Sequence, residues 1–232
     1  MEQTELVYAR QEQLLLSVPS SVTVVGVGGV GTWVAIQAAM SGVGELHLFD
    51  ADVLEEHNRN RLPFCQGGLN RPKVDVVADF IRAIRPDCLV WAIHERLEGE
   101  DNIRNQLQIS HTIVDCTDSP RTQIELYKVC GQYGGLYIRA GYDGTHITVS
   151  SSVPGWIKNA ERETYEINPS WVVPSVVVAA LAVGKLMKYP DQEVSLEIGE
   201  IGIPMLNRIP PPGARCRQSG SSETSTRTRR RR

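Results

Sequence analysis

Gly26-Val27-Gly28-Gly29-Val30-Gly31 stands between a β-branched run, Val22 to Val25, and a run suited to a helix, Thr32 to Met40. Placed there, the glycines carry chemistry. Gly26 and Gly28 let the backbone turn tightly and approach a ligand with no Cβ in the way, and Gly31 lets the helix lie close against the strand. The N–H groups of the first helical turn then become donors to an anion. Glu45 to Phe49 reads as the next strand. Asp50 ends it about 20 residues past the turn, where a ribose-binding acid belongs. To this point a nicotinamide dinucleotide and ATP fit equally well.

Asn58, Arg61 and, after a Gly-rich connection, Lys73 separate the two. Attack on an α-phosphate develops negative charge on phosphoryl oxygens and on the leaving pyrophosphate, and Arg and Lys stabilise that charge at low dielectric. Hydride transfer has no such need, and neither its catalytic acid nor its substrate clamp can be located in the chain. Thr112-Ile113-Val114-Asp115-Cys116-Thr117-Asp118 reads as a buried parallel strand ending in an acid. A carboxylate at that end lies on the face where open α/β sheets bind ligands, so Asp118 is a candidate Mg²⁺ ligand.

Taken together, Tyr8-Ala9-Arg10-Gln11, the turn Gly26 to Gly31, Ser41-Gly42-Val43-Gly44, Asp50-Ala51-Asp52, Asn58 to Arg61, Pro72-Lys73 and Asp115 to Asp118 cover about two thirds of the chain. This set resembles the ThiF/MoeB/E1 family of adenylyltransferases, which activate the C-terminus of ubiquitin-like or sulfur-carrier proteins. The resemblance implies that Gly26, Gly28, Gly29, Gly31, Asp50, Asp52, Asn58, Arg61 and Lys73 contact ATP. Asp50 would hold the ribose hydroxyls, Asn58, Arg61 and Lys73 the phosphates, and Asp118 the Mg²⁺. Arg10 would reach across a homodimer interface to the partner's ATP. The family's loop usually reads Asn-Leu-x-Arg-Gln; Arg59 and Leu62 replace the Leu and Gln here, while the phosphate-binding residues are retained. The implied substrate is a carrier protein ending in glycine, whose already ionised carboxylate attacks the α-phosphate without a general base.

Cys65, Cys88, Cys116, Cys130 and Cys216 include no CxxC pair, so no structural zinc of the kind common in this family is expected. The segment Val153 to Trp171, where larger family members carry a nucleophilic cysteine, has none. Cys116 and Cys130 read as small core hydrophobes, and Cys65, in the Pro63 to Gly68 loop, is the remaining candidate for a reactive thiol. Unpaired cysteines, the absence of a membrane-length apolar run and of a signal-like opening segment point to a cytoplasmic protein.

Alternating strand and helix patterns predict an α/β, Rossmann-like, mostly parallel sheet with helices on both faces, continuing into antiparallel strands. Lys73 to Ile84 is amphipathic, with Val74, Val77, Phe80, Ile81 and Ile84 on one side. Leu89 to Ile93 and Leu136 to Ala140 read as strands, Pro120 to Tyr133 as a helix, and His146 to Ser150 as an antiparallel strand. Trp171 to Val183 reads as a buried helix interrupted by Pro174 and ending at Gly184-Lys185. One adenylation domain is expected over 1–209, with a helix over 1–18 contributing to the dimer. Pro210-Pro211-Pro212-Gly213 begins a tail over 210–232, rich in Ser, Thr and Arg, that lacks the apolar residues to offset ordering. Its arginines suit nucleic acid or an acidic partner, or only solubilise; the whole chain of 232 residues is formally −3.

Two further readings stay open at this stage. Gly28-Gly29-Val30-Gly31-Thr32-Trp33 also resembles the turn of the tRNA threonylcarbamoyladenosine dehydratases, which share the implied fold and ATP site. A non-catalytic adaptor, as in one half of some E1 heterodimers, is the other; retention of Arg61, Lys73 and Asp118 speaks against it.

Overall fold

In the computed structural model the described residues are 7–63, 66–142, 146–155, 170–187 and, as backbone, 194–197. The expectations for Cys65, for most of Val153 to Trp171 and for the tail over 210–232 fall outside them. Among the described residues seven strands, β1 (Ser21–Val25), β2 (Glu45–Phe49), β3 (Leu89–Ile93), β4 (Thr112–Asp115), β5 (Leu136–Tyr142), β6 (His146–Ser150) and β7 (Val194–Glu197), form one sheet in the order β3-β2-β1-β4-β5-β6-β7. The pairs from β3 through β5 are parallel, and β6 and β7 continue antiparallel. The chain leaves β1 toward β2 and β3, then returns to the other side of β1 for β4. The sheet therefore reverses direction between β1 and β4, which is where ligands bind in open α/β sheets.

Burial explains the strand sequences. Val22, Val24 and Val25 of β1 and all four residues of β4 are buried, because both faces of the central strands are covered. Helices α1 (Gly29–Met40), α2 (Lys73–Ile84) and α5 (Val172–Met187) cover one face, with Val34, Ala35, Leu46, Leu48, Val77 and Ala179 in a shared core. Helices α3 (Glu100–Ile109) and α4 (Pro120–Tyr133) cover the other, around Ile103, Ile113, Leu126 and Tyr137. α1 is apolar nearly all round because it lies between the sheet and α5. None of the described helices is long and apolar enough to cross a membrane.

Several boundaries differ from the sequence reading. α1 begins at Gly29, three residues before Thr32, since the Thr32 N–H already donates to the Gly28 carbonyl. β4 stops at Asp115, not Asp118. The Asp115 carboxylate accepts from the Thr117 N–H at 2.9 Å and its hydroxyl at 2.7 Å, and this side-chain turn draws the chain off the ladder. β5 runs on to Tyr142 through its pairing with β6. α5 extends to Met187: Pro174 lies in its first turn, where a missing N–H costs nothing, and Lys185 is buried. Residues 7–18 do not form the expected continuous helix. Val7 and Tyr8 are helical, Glu12–Leu14 is a single 3₁₀ turn, and Leu15 ends it with a left-handed φ of 51°.

The β1–α1 junction is set by the absence of side-chain atoms. Gly26 has φ +83°, and a Cβ on Gly31 would lie 1.8 Å from the Gly26 carbonyl oxygen. A Cβ on Gly28, by contrast, would meet nothing within 4 Å. Gly31→Ala should cost about 3 kcal/mol or more in denaturant unfolding, and Gly28→Ala under about 1 kcal/mol. Equal stability of the two variants would contradict this packing.

The described cysteines sit in the core. Cys88 and Cys130 are buried, and Cys116 packs half-buried against the larger core beside Gly31. Burial pushes the Cys130 thiol up to about 12, with a further contribution from Asp115, and burial followed by Asp115 pushes Cys116 well above the ordinary thiol range. At pH 8 only about one Cys130 in ten thousand is thiolate, the reactive form. Iodoacetamide at that pH should leave Cys116 and Cys130 unmodified in the native chain, by mass spectrometry, and label both after unfolding. Native labelling of Cys116 at the rate of free cysteine would refute its assignment to the core.

Candidate functional site

The carboxyl ends of β1, β2 and β4 bring most of the sequence-predicted residues together. The Gly26 N–H donates to the Phe49 carbonyl at 2.8 Å, so the turn leaves β1 bound to the end of β2. Asp50 then ties down both connections: Oδ2 accepts the Val27 N–H at 2.6 Å and Oδ1 accepts the Asp52 N–H at 2.8 Å. Each oxygen retains a lone pair for a hydroxyl donor. Burial raises the Asp50 pKa above the ordinary 3.8, opposed first by Lys73. A raised carboxylate pKa means that this group's contribution to stability falls as pH rises from 3.8 through the folded value.

Asn58 and Arg61 come from a 3₁₀ turn, Glu56–Asn60, closed by a capping box. The Asn58 side chain accepts the Glu55 N–H at 3.0 Å, while the Glu55 side chain accepts the Asn58 N–H. Asn58 is buried, so its Oδ1 holds the loop in shape. Arg61 comes next, its carbonyl receiving the Trp33 indole N–H at 2.9 Å and its Nη1 donating to the His57 carbonyl and Asn60 Oδ1, each at 2.9 Å. The guanidinium stem lies against the start of α1: a Cβ on Gly29 would be 3.0 Å from Arg61 Cδ and 2.9 Å from Ser175 Oγ. Lys73, at the start of α2, pairs with Asp52 at 2.8 Å, and its backbone N–H donates to the Asp52 carbonyl. Arg61 therefore lies against the turn and Lys73 against the carboxylates that follow β2, and a Cβ on Gly28 would meet no described atom within 4 Å.

Asp118 lies beyond the end of β4 in an exposed loop before the α4 N-cap, Ser119. One solvent-facing carboxylate suits Mg²⁺, which keeps several waters and takes its other ligands from phosphates. Among the described residues no cluster of three His, Cys, Asp or Glu could hold a metal ion. Arg10 is not brought to this site within one chain. Its neighbour Gln11 donates to the Ser41 carbonyl at the far end of α1, about 18 Å along a 12-residue helix.

Asp115 and Arg139 join the site in the structure without a role marked for either by any motif. Asp115 is fully buried and accepts from Thr117 and, at 2.7 Å, from the Tyr137 hydroxyl; burial raises its pKa. Gln123 donates to the Thr117 carbonyl at 2.6 Å and accepts from Arg139 Nε at 3.0 Å. The available signal was a charged residue inside an otherwise uncharged run, Asp115 after Thr112 to Val114 and Arg139 within Leu136 to Tyr142.

A model of the ThiF family matches residues 4–183. The tRNA threonylcarbamoyladenosine dehydratase of Haemophilus influenzae is 33% identical over 110 residues, which are 47% of this chain and 42% of that protein. The sulfur carrier protein ThiS adenylyltransferase of Escherichia coli is 30% identical over 153 residues, 66% of this chain and 59% of that protein. The chain thus spans about half the length of these curated relatives. A crystal structure of the E. coli dehydratase in complex with AMP superposes with a TM-score of 0.53 at 28% identity, covering 61% of this chain and 58% of that one. The match over residues 4–183, on a sheet with this strand order and glycine turn, establishes that the chain belongs to the ThiF family.

Proposed function

We propose that this chain is an ATP-dependent adenylyltransferase that activates the C-terminal carboxylate of a ubiquitin-like or sulfur-carrier protein. The observation that carries this reading is the glycine turn, flanked by Arg61 and Lys73 and tied to Asp50, at the point where the sheet reverses direction. The similarity to the ThiS adenylyltransferase supports the substrate class. In this reading ribose hydroxyls donate to Asp50, and the phosphates lie over Gly28 and Gly29, between Arg61 and Lys73. Asn58 sets the Arg61 loop in place. Asp52 holds Lys73 until the phosphates arrive. A substrate carboxylate oxygen attacks the α-phosphorus, the bond from that phosphorus to the bridging oxygen breaks, and pyrophosphate leaves with the electron pair. No proton moves, so the chain's work is positioning and charge neutralisation. Mg²⁺ held at Asp118 would supply further neutralisation of phosphate charge.

The reading includes a homodimer in which Arg10 completes the partner's site, in a cytoplasmic setting. An apolar groove of about 510 Å³, lined by Val7, Trp33, Ile36, Met40, Phe80 and Ile84, lies beside the same N-terminal segment. Met40 and Val7 are more than half exposed there. Such a face is suited to burial against a second copy. Trp33 both lines it and holds the Arg61 carbonyl, which connects the groove to the site.

A second reading rests on the 33% identity to a tRNA threonylcarbamoyladenosine dehydratase, and ATP–pyrophosphate exchange separates the two. With a small carrier protein ending in Gly-Gly, exchange should require the carrier. Lys73→Ala and Asp118→Ala should each lower kcat/KM by about 100-fold, or about 2.7 kcal/mol. Mixing Arg10→Ala with Asp118→Ala should restore about a quarter of wild-type activity, since half of randomly paired dimers hold one intact site. Exchange only with tRNA would favour the dehydratase. An Asp118→Ala chain that keeps every activity would favour a non-catalytic adaptor, and mixtures that regain nothing would remove the cross-subunit role of Arg10.

A further inference from the structure

The cations assigned to ATP lie on the β1 and β2 side of the crevice, whereas the nucleophile of the proposed reaction is itself an anion and must approach from elsewhere. Arg139 stands on the other side. It is the fourth residue of β5, in register with Asp115 of β4 and with Ser150 of β6, two strands or about 10 Å across the sheet from β1. A half-buried arginine at that place is held by construction. Its Nε donates to Gln123 Oε1 at 3.0 Å, and Gln123, itself 3% exposed, donates to the Thr117 carbonyl at 2.6 Å. The guanidinium is thus anchored through a buried side chain to the loop that carries Asp118.

That anchor uses one of five N–H donors, and among the described residues the other four have no hydrogen-bond partner. Asp115 does not take them: its oxygens accept from Thr117 and Tyr137, so Arg139 acts on it only as a nearby charge. The guanidinium also has a direction. Arg139 Nη2 lies 3.8 Å from where a Cβ on Gly141 would be, so it reaches up β5 toward the carboxyl end of the strand, where the site lies. A planar, permanently charged fork with free donors suits a carboxylate.

We propose that Arg139 binds the carboxylate of the substrate, a peptide C-terminus, and holds one of its oxygens while the other attacks the α-phosphorus of ATP. This rests on the adenylyltransferase reading above. One O–P bond forms, the bond to the bridging oxygen of pyrophosphate breaks with its electron pair, and the carbonyl oxygen of the acyl-adenylate remains on Arg139. The interaction is present before the chemical step, so its loss acts on KM for the carboxylate substrate and little on kcat. A purely structural Arg139, offsetting the charge of Asp115, would act on stability and on neither binding constant selectively.

The test uses the full chain, a synthetic peptide ending in Gly-Gly as free acid or as C-terminal amide, and a non-hydrolysable ATP analogue, with binding followed by calorimetry. Wild type should bind the acid at least about tenfold more tightly than the amide. Arg139→Gln should bind both forms alike while keeping analogue affinity within about twofold, and Arg139→Lys should keep part of the preference. If Arg139→Gln retains the full preference, or Arg139→Lys and Arg139→Gln both lose analogue affinity and thermal stability together, the assignment fails and peptide activation stands. If wild type itself does not distinguish acid from amide, or gives pyrophosphate exchange only with tRNA, the peptide-carboxylate reading fails with it.

Discussion

Asp50 accepting the Val27 N–H at 2.6 Å joins the end of β2 to the turn that leaves β1, and the rest of the site is built on that joint. The bond is possible only because the turn comes close: Gly26 takes a left-handed φ, and Gly31 has no Cβ to strike the Gly26 carbonyl. With the turn fixed, α1 starts at Gly29 at the carboxyl end of β1 with no side chain capping it, and the Arg61 side chain lies against Gly29. The cost is a carboxylate held half out of water with a raised pKa, which Lys73 partly relieves. A group that opposes stability at neutral pH yet sits at the centre of the strand–turn–helix unit is placed for a ligand.

A second constraint acts across the sheet. Asp115, fully buried, turns the chain off β4 through Thr117, orients Tyr137 on β5, and leaves Asp118 exposed at the mouth of the crevice. Gln123 joins this turn to Arg139. The two sides of the crevice are therefore held by separate hydrogen-bond sets, one on β1 and β2 and one on β4 and β5. They meet where a Cβ on Gly26 would lie 3.1 Å from the Cys116 carbonyl.

Much of this was legible in the residue order. Glu45–Phe49, Lys73–Ile84, Leu89–Ile93, Pro120–Tyr133 and His146–Ser150 fall where pattern alone puts them: apolar content marks β2 and β3, alternation marks β6, a helical period marks α2, and Ser119-Pro120 marks a helix start. What was not legible depends on side chains acting on backbone. The Asp115 carboxylate ends β4 three residues early, and its capacity to do so has no periodic signature. α5 runs past Gly184-Lys185 to Met187 with Lys185 buried, against the usual reading of a lysine as a helix end. Within the site, Gly26, Gly28, Gly29, Gly31, Asp50, Asp52, Asn58, Arg61 and Lys73 do come together, Asp118 stands at the rim, and Arg10 lies at the opposite end of α1.

The β1 turn and Asp50 are proposed as the floor of an ATP site. A crystal structure of the full chain with a non-hydrolysable ATP analogue tests it most directly. The expected result is ribose hydroxyls on the Asp50 carboxylate and phosphates above Gly28, between Arg61 and Lys73. Analogue bound in the groove between α1 and α2, or anywhere else that leaves the Gly28 N–H facing solvent, would contradict it.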